Sequence, residues 1–369
     1  PIDVDADIRK SYKGGFTYLS PKYKEKTTRS GLTLDVNSMY PAKMVQEWLP
    51  YSLPEPFEGK YQKDALYPLY TQRLTCTFDI KPNKIPSIQL KSCPSFMPNE
   101  YIESSRGEIV TLTLTNPDLE LFFQQYDVNV IEWQGGWKFK KARGIFTNYI
   151  NYWTEQKIKA KKEGNRPQYL LSKLMLNNLY GKMATNPIGR QKAPVLIDNE
   201  LHFAMLPTEE RKPIYIPVAT FITSYARKYI IETSQYIRDW SMKNKGYDAY
   251  VYSDTDSIHC LLDKSDLDEI GQSIKIDPFE LGAWDCEATW TRGRFLRQKC
   301  YIEEIDGVIH STVAGMPKKL SHLVTFDNFN IGFTTEAFTD EEIGPKGRKL
   351  KYVHTDGGVV LMPTDFTIK

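Results

Sequence analysis

Ten residues, Tyr250-Val-Tyr-Ser-Asp-Thr-Asp-Ser-Ile-His259, constrain this 369-residue chain more than any others. Alternating aromatic and β-branched residues run into small polar turn formers, which is the pattern of a β-hairpin. The spacing predicts a strand from Ala249 to Tyr252, a tight turn holding Asp254 and Asp256, and a second strand from Ile258 to Leu262. Two carboxylates at i and i+2 of a turn repel at close range, which pushes one pKa up. A hard divalent cation removes that repulsion, because such an ion is bound through one or two carboxylates together with phosphates. An isolated Asp-Thr-Asp turn is more often just solvated. Here the apolar flanks place the acids on a rigid scaffold.

Two other segments keep it company. In Gly31-Leu-Thr-Leu-Asp-Val-Asn-Ser-Met-Tyr-Pro-Ala-Lys-Met44, Leu32 to Val36 reads as a buried strand delivering Asp35 at its end. Pro41 suits the first turn of a helix, where a missing N–H costs nothing. Amides between Asn37 and Tyr40 would then leave a helix N-terminus, a seat for phosphate. A carboxylate on a separate strand is what a two-metal site adds to an acidic hairpin. In Lys173-Leu-Met-Leu-Asn-Asn-Leu-Tyr-Gly-Lys-Met-Ala-Thr-Asn186, helical spacing puts Lys173, Asn177 and Tyr180 on one face. Leu171, Leu174 and Met175 fall roughly opposite, as a packing face. Taken singly, these segments also read as a capped turn and a structural helix.

Together the three resemble, in sequence and in order, the motifs of the family B DNA polymerases: Asp-x-x-Ser-x-Tyr-Pro, Lys-x-x-x-Asn-x-x-Tyr-Gly and Tyr-x-Asp-Thr-Asp. Further segments resemble the protein-primed branch of small phages and linear plasmids. Tyr12-Lys-Gly-Gly-Phe16 is similar to its Tyr-x-Gly-Gly segment, Lys299-Cys-Tyr301 to its Lys-x-Tyr motif, and Gly357 onward with Asp365 to Lys369 to its thumb terminus. The resemblance spans essentially the whole chain.

It implies an α+β, right-hand polymerase fold: an antiparallel-sheet palm, helical fingers, a small β-rich thumb and two branch-specific insertions. On that pattern the palm takes residues 1–46 and 215–323, and the first insertion 47–144, a Pro-punctuated stretch including Pro98. The fingers take 145–186, the second insertion 187–214, and the thumb 324–369. The second insertion carries a hairpin signature of its own around Asp198-Asn199. In relatives the first insertion contacts the priming protein and the duplex, and the second supports strand displacement.

The implied activity is template-directed addition of deoxynucleotides to a primer 3′-OH, or to a priming-protein hydroxyl. Asp35 and Asp256 would hold two Mg²⁺ ions (Mn²⁺ can substitute), helped by the Val36 carbonyl, with Asp254 beside them. Lys173 would protonate the departing pyrophosphate. Ser38, Met39, Tyr40, Lys157, Lys173, Asn177, Tyr180 and Gly181 would bind the dNTP, Tyr40 excluding a ribose 2′-OH. Lys159 and Lys161 are alternatives to Lys157. Tyr12, Gly14, Gly15, Lys299 and Tyr301 would contact DNA. The partners implied are primer-template DNA, dNTPs and a priming (terminal) protein. The chain would act as a monomer in the cytoplasm, the host's if it is phage-encoded.

Composition is compatible with this. The formal net charge is only +2, so basic residues matter by their clustering: Lys157 to Arg166, Arg292 to Lys299, and Lys346 to Lys351. These runs could track phosphates, and the 23 Tyr and 17 Phe could stack on bases. Five scattered cysteines argue for reduced thiols rather than a disulfide framework or a zinc site. No run has the length of a membrane span. The chain opens on Pro1 and reaches Tyr12-Lys-Gly-Gly at once, which suggests a trimmed or processed piece. That leads to the expectation of no 3′→5′ exonuclease upstream, no proofreading, and weaker processivity.

Two rival classes use some of the same features. A reverse transcriptase carries adjacent aspartates on its hairpin, whereas Thr255 separates these. A non-catalytic fragment binding DNA or the priming protein would tolerate loss of Asp256.

Overall fold

The computed structural model describes every residue except 1, 91–92, 98, 199, 345–347 and 356–357. Pro1, Pro98, Asn199, Lys346 and Gly357 therefore lie outside the described residues. The centre is a five-stranded sheet made from β1 (Thr17–Leu19), β2 (Gly31–Val36), β3 (Tyr250–Asp254), β4 (Ser257–Cys260) and β5 (Trp284–Trp290). Its spatial order is β1-β3-β4-β2-β5, with every neighbouring pair antiparallel. The first hairpin strand sits slightly later, and the second slightly earlier, than the sequence pattern predicts. Asp254 ends β3 in register with Ser257, so only Thr255 and Asp256 form the turn.

Strand periodicity explains the two faces of β2. Leu32, Leu34 and Val36 are buried in one core with Ala226, Ile230, Ile231 and Ile237. Those partners belong to a 30-residue helix, one of five that matter here: α1 (Met39–Gln46), α2 (Asn116–Gln125), α3 (Thr147–Lys162), α4 (Arg166–Met183) and α5 (Ile216–Lys245). Pro217 sits in the first turn of α5, and Gly246 ends it at φ 74°, the left-handed conformation glycine adopts cheaply.

Residues 49–142 build a separate four-stranded antiparallel sheet in the spatial order Leu49–Phe57, Tyr126–Ala142, Leu69–Ile80 and Val110–Thr115. It has its own core, in which Leu74, Phe78, Leu112, Phe122 and Tyr126 are buried. Helix α2 belongs to this unit, and Thr115 caps it by accepting the Asp118 amide.

Between α3 and α4, Gly164 turns the chain at φ 66°, and the Asn165 side chain caps α4 by accepting the Gln168 amide. The packing face of α4 differs from expectation. Ser172 and Leu176 are buried, with Leu179, Tyr180 and Met183 partly so. Leu171 and Leu174 are 45% and 53% exposed instead. The apolar stripe at helical spacing was real, but the chain turns its other edge inward.

The predicted hairpin of the second insertion is present: Lys192–Ile197 pairs with Glu200–Met205. Its second strand touches the C-terminal hairpin formed by Lys349–Thr355 and Gly358–Thr364. Beyond that hairpin, Phe366 and Ile368 return to a core with Leu296, Ile302 and Phe329. The five cysteines are free thiols. Among the described residues, no helix is long and apolar enough to cross a membrane.

Candidate active site

The two acid-bearing segments are stitched edge to edge. The Val36 amide donates to the Asp256 carbonyl at 2.8 Å, and the Asp256 amide to the Asp254 carbonyl at 2.7 Å. Thr255 takes a left-handed φ of 63° at the turn and donates its amide to the Phe16 carbonyl at 2.7 Å. A non-glycine residue held there marks strain that surrounding bonds must support. Asp35 lies opposite Ser257 on one side and Asp285 on the other.

The carboxylates are not equivalent. Asp254 receives Lys299 Nζ at 2.7 and 2.9 Å, Thr255 Oγ1 at 3.1 Å, Thr17 Oγ1 at 3.2 Å and the Tyr252 hydroxyl at 3.3 Å. Its charge is therefore matched within the fold. Asp35 is pushed up to about 8, chiefly by burial, then by the nearby negative charges of Asp256, Glu287 and Asp285, with Lys173 opposing. Asp256 is raised by burial and by Asp254 and Glu287, again against Lys173. Asp35 and Asp256 thus form the pair whose joint ionisation the fold itself does not compensate.

Facing them are two lysines from the α3–α4 pair. Lys157 donates to Ser38 Oγ at 2.9 Å. Burial, then the positive charges of Lys173 and Lys161, lower its pKa, while Asp35 opposes. Lys159, by contrast, pairs with Glu163 at 4.0 Å, and Lys161 lies over the Phe279 ring. Of the three lysines, Lys157 is the one turned to the acidic face. Lys173, Asn177 and Gly181 are exposed.

An aromatic wall adjoins this face. The Tyr40 and Tyr180 rings lie 4.6 Å apart, and the Tyr180 hydroxyl bonds that of Tyr12. Burial pushes Tyr40 up to about 12. It also raises Tyr180, helped by the Tyr12 contact. Gly15 is required where it stands: a Cβ there would come within 2.8 Å of the Thr255 side chain. Nothing lies within 4 Å of the same position on Gly14. Tyr301 packs among Tyr252, His259 and Phe295 rather than standing free.

Four expectations need correction. The Asn37 amide is not open to phosphate, because it donates to the Ala283 carbonyl at 2.9 Å. The Met39 side chain is 2% exposed and belongs to the core, leaving only its backbone for a ligand. Much of the basic clustering is spent internally: Arg292 pairs with Glu304, Arg294 donates to the Phe329 carbonyl, Arg297 to the Lys369 carbonyl, and Arg348 binds Asp340 and Asp365. Many tyrosines, including Tyr126, Tyr250 and Tyr252, are likewise core residues.

Sequence reasoning missed Asp285 and Glu287. Their spacing in Trp284-Asp-Cys-Glu287 was the available signal; in the structure Asp285 pairs opposite Asp35, and Glu287 is the extra residue of a bulge between Cys286 and Ala288. The donor set around Asp35 is all hard oxygen, which suits a hard divalent cation sharing its shell with phosphates. Among the described residues, no three His, Cys, Asp or Glu side chains already converge on a single ion.

The fold just described has a counterpart among solved polymerase structures. It superimposes with a TM-score of 0.87 and 39% identity on phi29 DNA polymerase complexed with primer-template DNA and incoming nucleotide substrates, covering 100% of this chain and 63% of that one. Residues 2–278 match DNA polymerase type B, organellar and viral, and the chain belongs to that family. It is 41% identical to the DNA polymerase of Bacillus phage Nf and 40% to that of Bacillus phage phi29, across its entire length. In both cases it spans 63% of the relative's length.

Proposed function

We propose that this chain carries the nucleotidyl-transfer centre of a template-directed DNA polymerase, acting on primer-template DNA and dNTPs. The observation that carries the reading is the uncompensated Asp35–Asp256 pair, one on a strand and the other on the turn stitched to it, facing Lys157 and the exposed Lys173. The similar structure of phi29 DNA polymerase supports it, since that protein is complexed with primer-template DNA and incoming nucleotide substrates. On this reading the central sheet is the palm, α3 and α4 the fingers, residues 47–144 and 187–214 the insertions, and 324–369 the thumb.

Asp35, Asp256 and the Val36 carbonyl would hold two divalent cations, Mg²⁺ or Mn²⁺, which activate the 3′-hydroxyl and screen the triphosphate when bound. The chain's own groups do the rest. Lys157, oriented by Ser38, and Lys173 neutralise the phosphates, and Lys173 protonates the leaving pyrophosphate. Tyr40 stacks beneath the sugar and leaves no room for a 2′-hydroxyl. Asn177, Tyr180 and Gly181 border the nascent base pair. Lys299 moves from Asp254 to a primer phosphate, beside Tyr12, Gly14, Gly15 and Tyr301. Protein priming, by a terminal protein seated on the first insertion, extends the same reading, as does action in the host cytoplasm.

The test is extension of a labelled primer on a single-stranded template with and without Mg²⁺, run beside Asp256→Asn. Metal-dependent extension by the parent and none by the variant is expected. If both bind primed template and neither extends it, the chain is a binding module and the catalytic reading fails.

A further inference from the structure

Away from the acidic face lies a buried charge pair that the mechanism above does not use. Arg227 of α5 is 2% exposed and Asp118 of α2 is 7% exposed. The guanidinium donates to both carboxylate oxygens, Nε to Oδ1 at 3.3 Å and Nη2 to Oδ2 at 2.5 Å. Ser224 Oγ and Thr115 Oγ1 also donate to Oδ2, at 2.8 and 3.1 Å. Burial alone would raise the Asp118 carboxyl, but the charge of Arg227, with Lys13 behind it, holds it below its ordinary value.

A buried ion pair is weak evidence of function, because desolvation can cancel its attraction. What distinguishes this one is where its spare donors go. Arg227 Nη1 donates to the Lys13 carbonyl at 2.6 Å and to the Gly14 carbonyl at 2.9 Å. The loop so gripped reaches the active site at three successive points. Tyr12 bonds the Tyr180 hydroxyl, Gly15 lies against the Thr255 side chain, and the Phe16 carbonyl accepts the Thr255 amide. Thr255 is the left-handed residue between the two hairpin aspartates, a conformation that persists only if its surroundings impose it.

Building on the polymerase reading, we propose that Arg227, locked by Asp118, is a positioning residue. It fixes the pose of residues 12–16 and thereby the turn that presents Asp256 and the ring of Tyr180. The planar fork of arginine is what the task needs, since one group must face a carboxylate on one side and two carbonyls on the other. A lysine carries the charge but presents its donors from a single point. Because Asp118 belongs to the separate 49–142 unit, the arrangement also ties that unit to the catalytic turn.

The experiment is single-turnover primer extension by the full chain, its Arg227→Lys and Asp118→Asn variants, and Gly15→Ala. The rate at saturating dNTP, the apparent dNTP affinity, the primer-template affinity and the thermal midpoint are measured for each. Positioning predicts that Arg227→Lys loses about tenfold or more in rate, as misplacement of reacting groups does, with the dNTP and primer-template affinities weakened alongside it, because the same loop meets Tyr180 and the DNA. It further predicts that Arg227→Lys and Gly15→Ala are non-additive, because they act on one loop. A folded Arg227→Lys that keeps the parental rate and shows only a lowered midpoint overturns the proposal and leaves the polymerase reading intact. If Arg227→Lys does not fold, Asp118→Asn decides by the same criteria. A parent that does not extend at all overturns the polymerase reading, and this inference with it.

Discussion

Asp118 and Asp35 are both carboxylates drawn out of water, and the molecule treats them in opposite ways. Asp118 is met by a bidentate guanidinium and two hydroxyls, and its pKa falls. Asp35 is placed among three other acids, and its pKa climbs to about 8. The first is a charge the fold completes from within. The second is a charge the fold leaves incomplete, and such uncompensated sites are where a ligand is expected to finish the work. Asp254 stands between them, partly buried like Asp35 but already matched by Lys299.

The contrast is tested most sharply by taking each charge away. Asp35→Asn should reduce primer extension by roughly 10³-fold or more, several kcal/mol of transition-state stabilisation. Without metal it should nonetheless melt higher than the parent, by roughly 1 kcal/mol or more, because a buried repulsion is gone. A lowered melting point would mean that Asp35 is a structural charge like Asp118. Next, Asp118→Ala should cost about 3–5 kcal/mol in stability, since it strands Arg227 in the interior. Denaturant unfolding measures this, and a change under 1 kcal/mol would erase the distinction.

A smaller effect separates the two by pH. The folded pKa of Asp35, about 8, lies above an unfolded value of about 3.9. Between those values the folded protein keeps a proton that the unfolded chain has lost. Its contribution to stability is therefore fully present below pH 4 and is lost as pH rises through 8. Measured without metal, the thermal midpoint of the parent relative to Asp35→Asn should fall across that window. Mg²⁺ should raise the parent's midpoint more at pH 8 than at pH 5. A pH-independent difference between parent and variant would contradict the assigned shift. Smallest of all is the split among the basic residues of α3: Lys157→Ala should lower extension by about tenfold, while Lys159→Ala, at a solvated pair with Glu163, should leave it within about twofold.

Local chemistry alone determined a good part of this. Period two along Leu32 to Val36, the turn formers around Thr255, and the i, i+4, i+7 placement of Lys173, Asn177 and Tyr180 were all readable, because each depends on residues within a turn or two. The hairpin around Asp198 followed from the same logic. Tertiary structure decided what depends on partners far along the chain. Arg227 and Asp118 are 109 residues apart, and Lys299 and Asp254 are 45 apart. No local period records such meetings. The same holds for the basic runs, whose clustering is visible in sequence while their commitment to Glu304, Asp340 or a backbone carbonyl is not. It holds also for Leu171 and Leu174, since a helical stripe says that one edge is apolar but not which edge meets a neighbour. Spacing sets what each segment can present, and topology sets what it meets. A charge becomes structural or functional only when its neighbours either complete it or leave it bare.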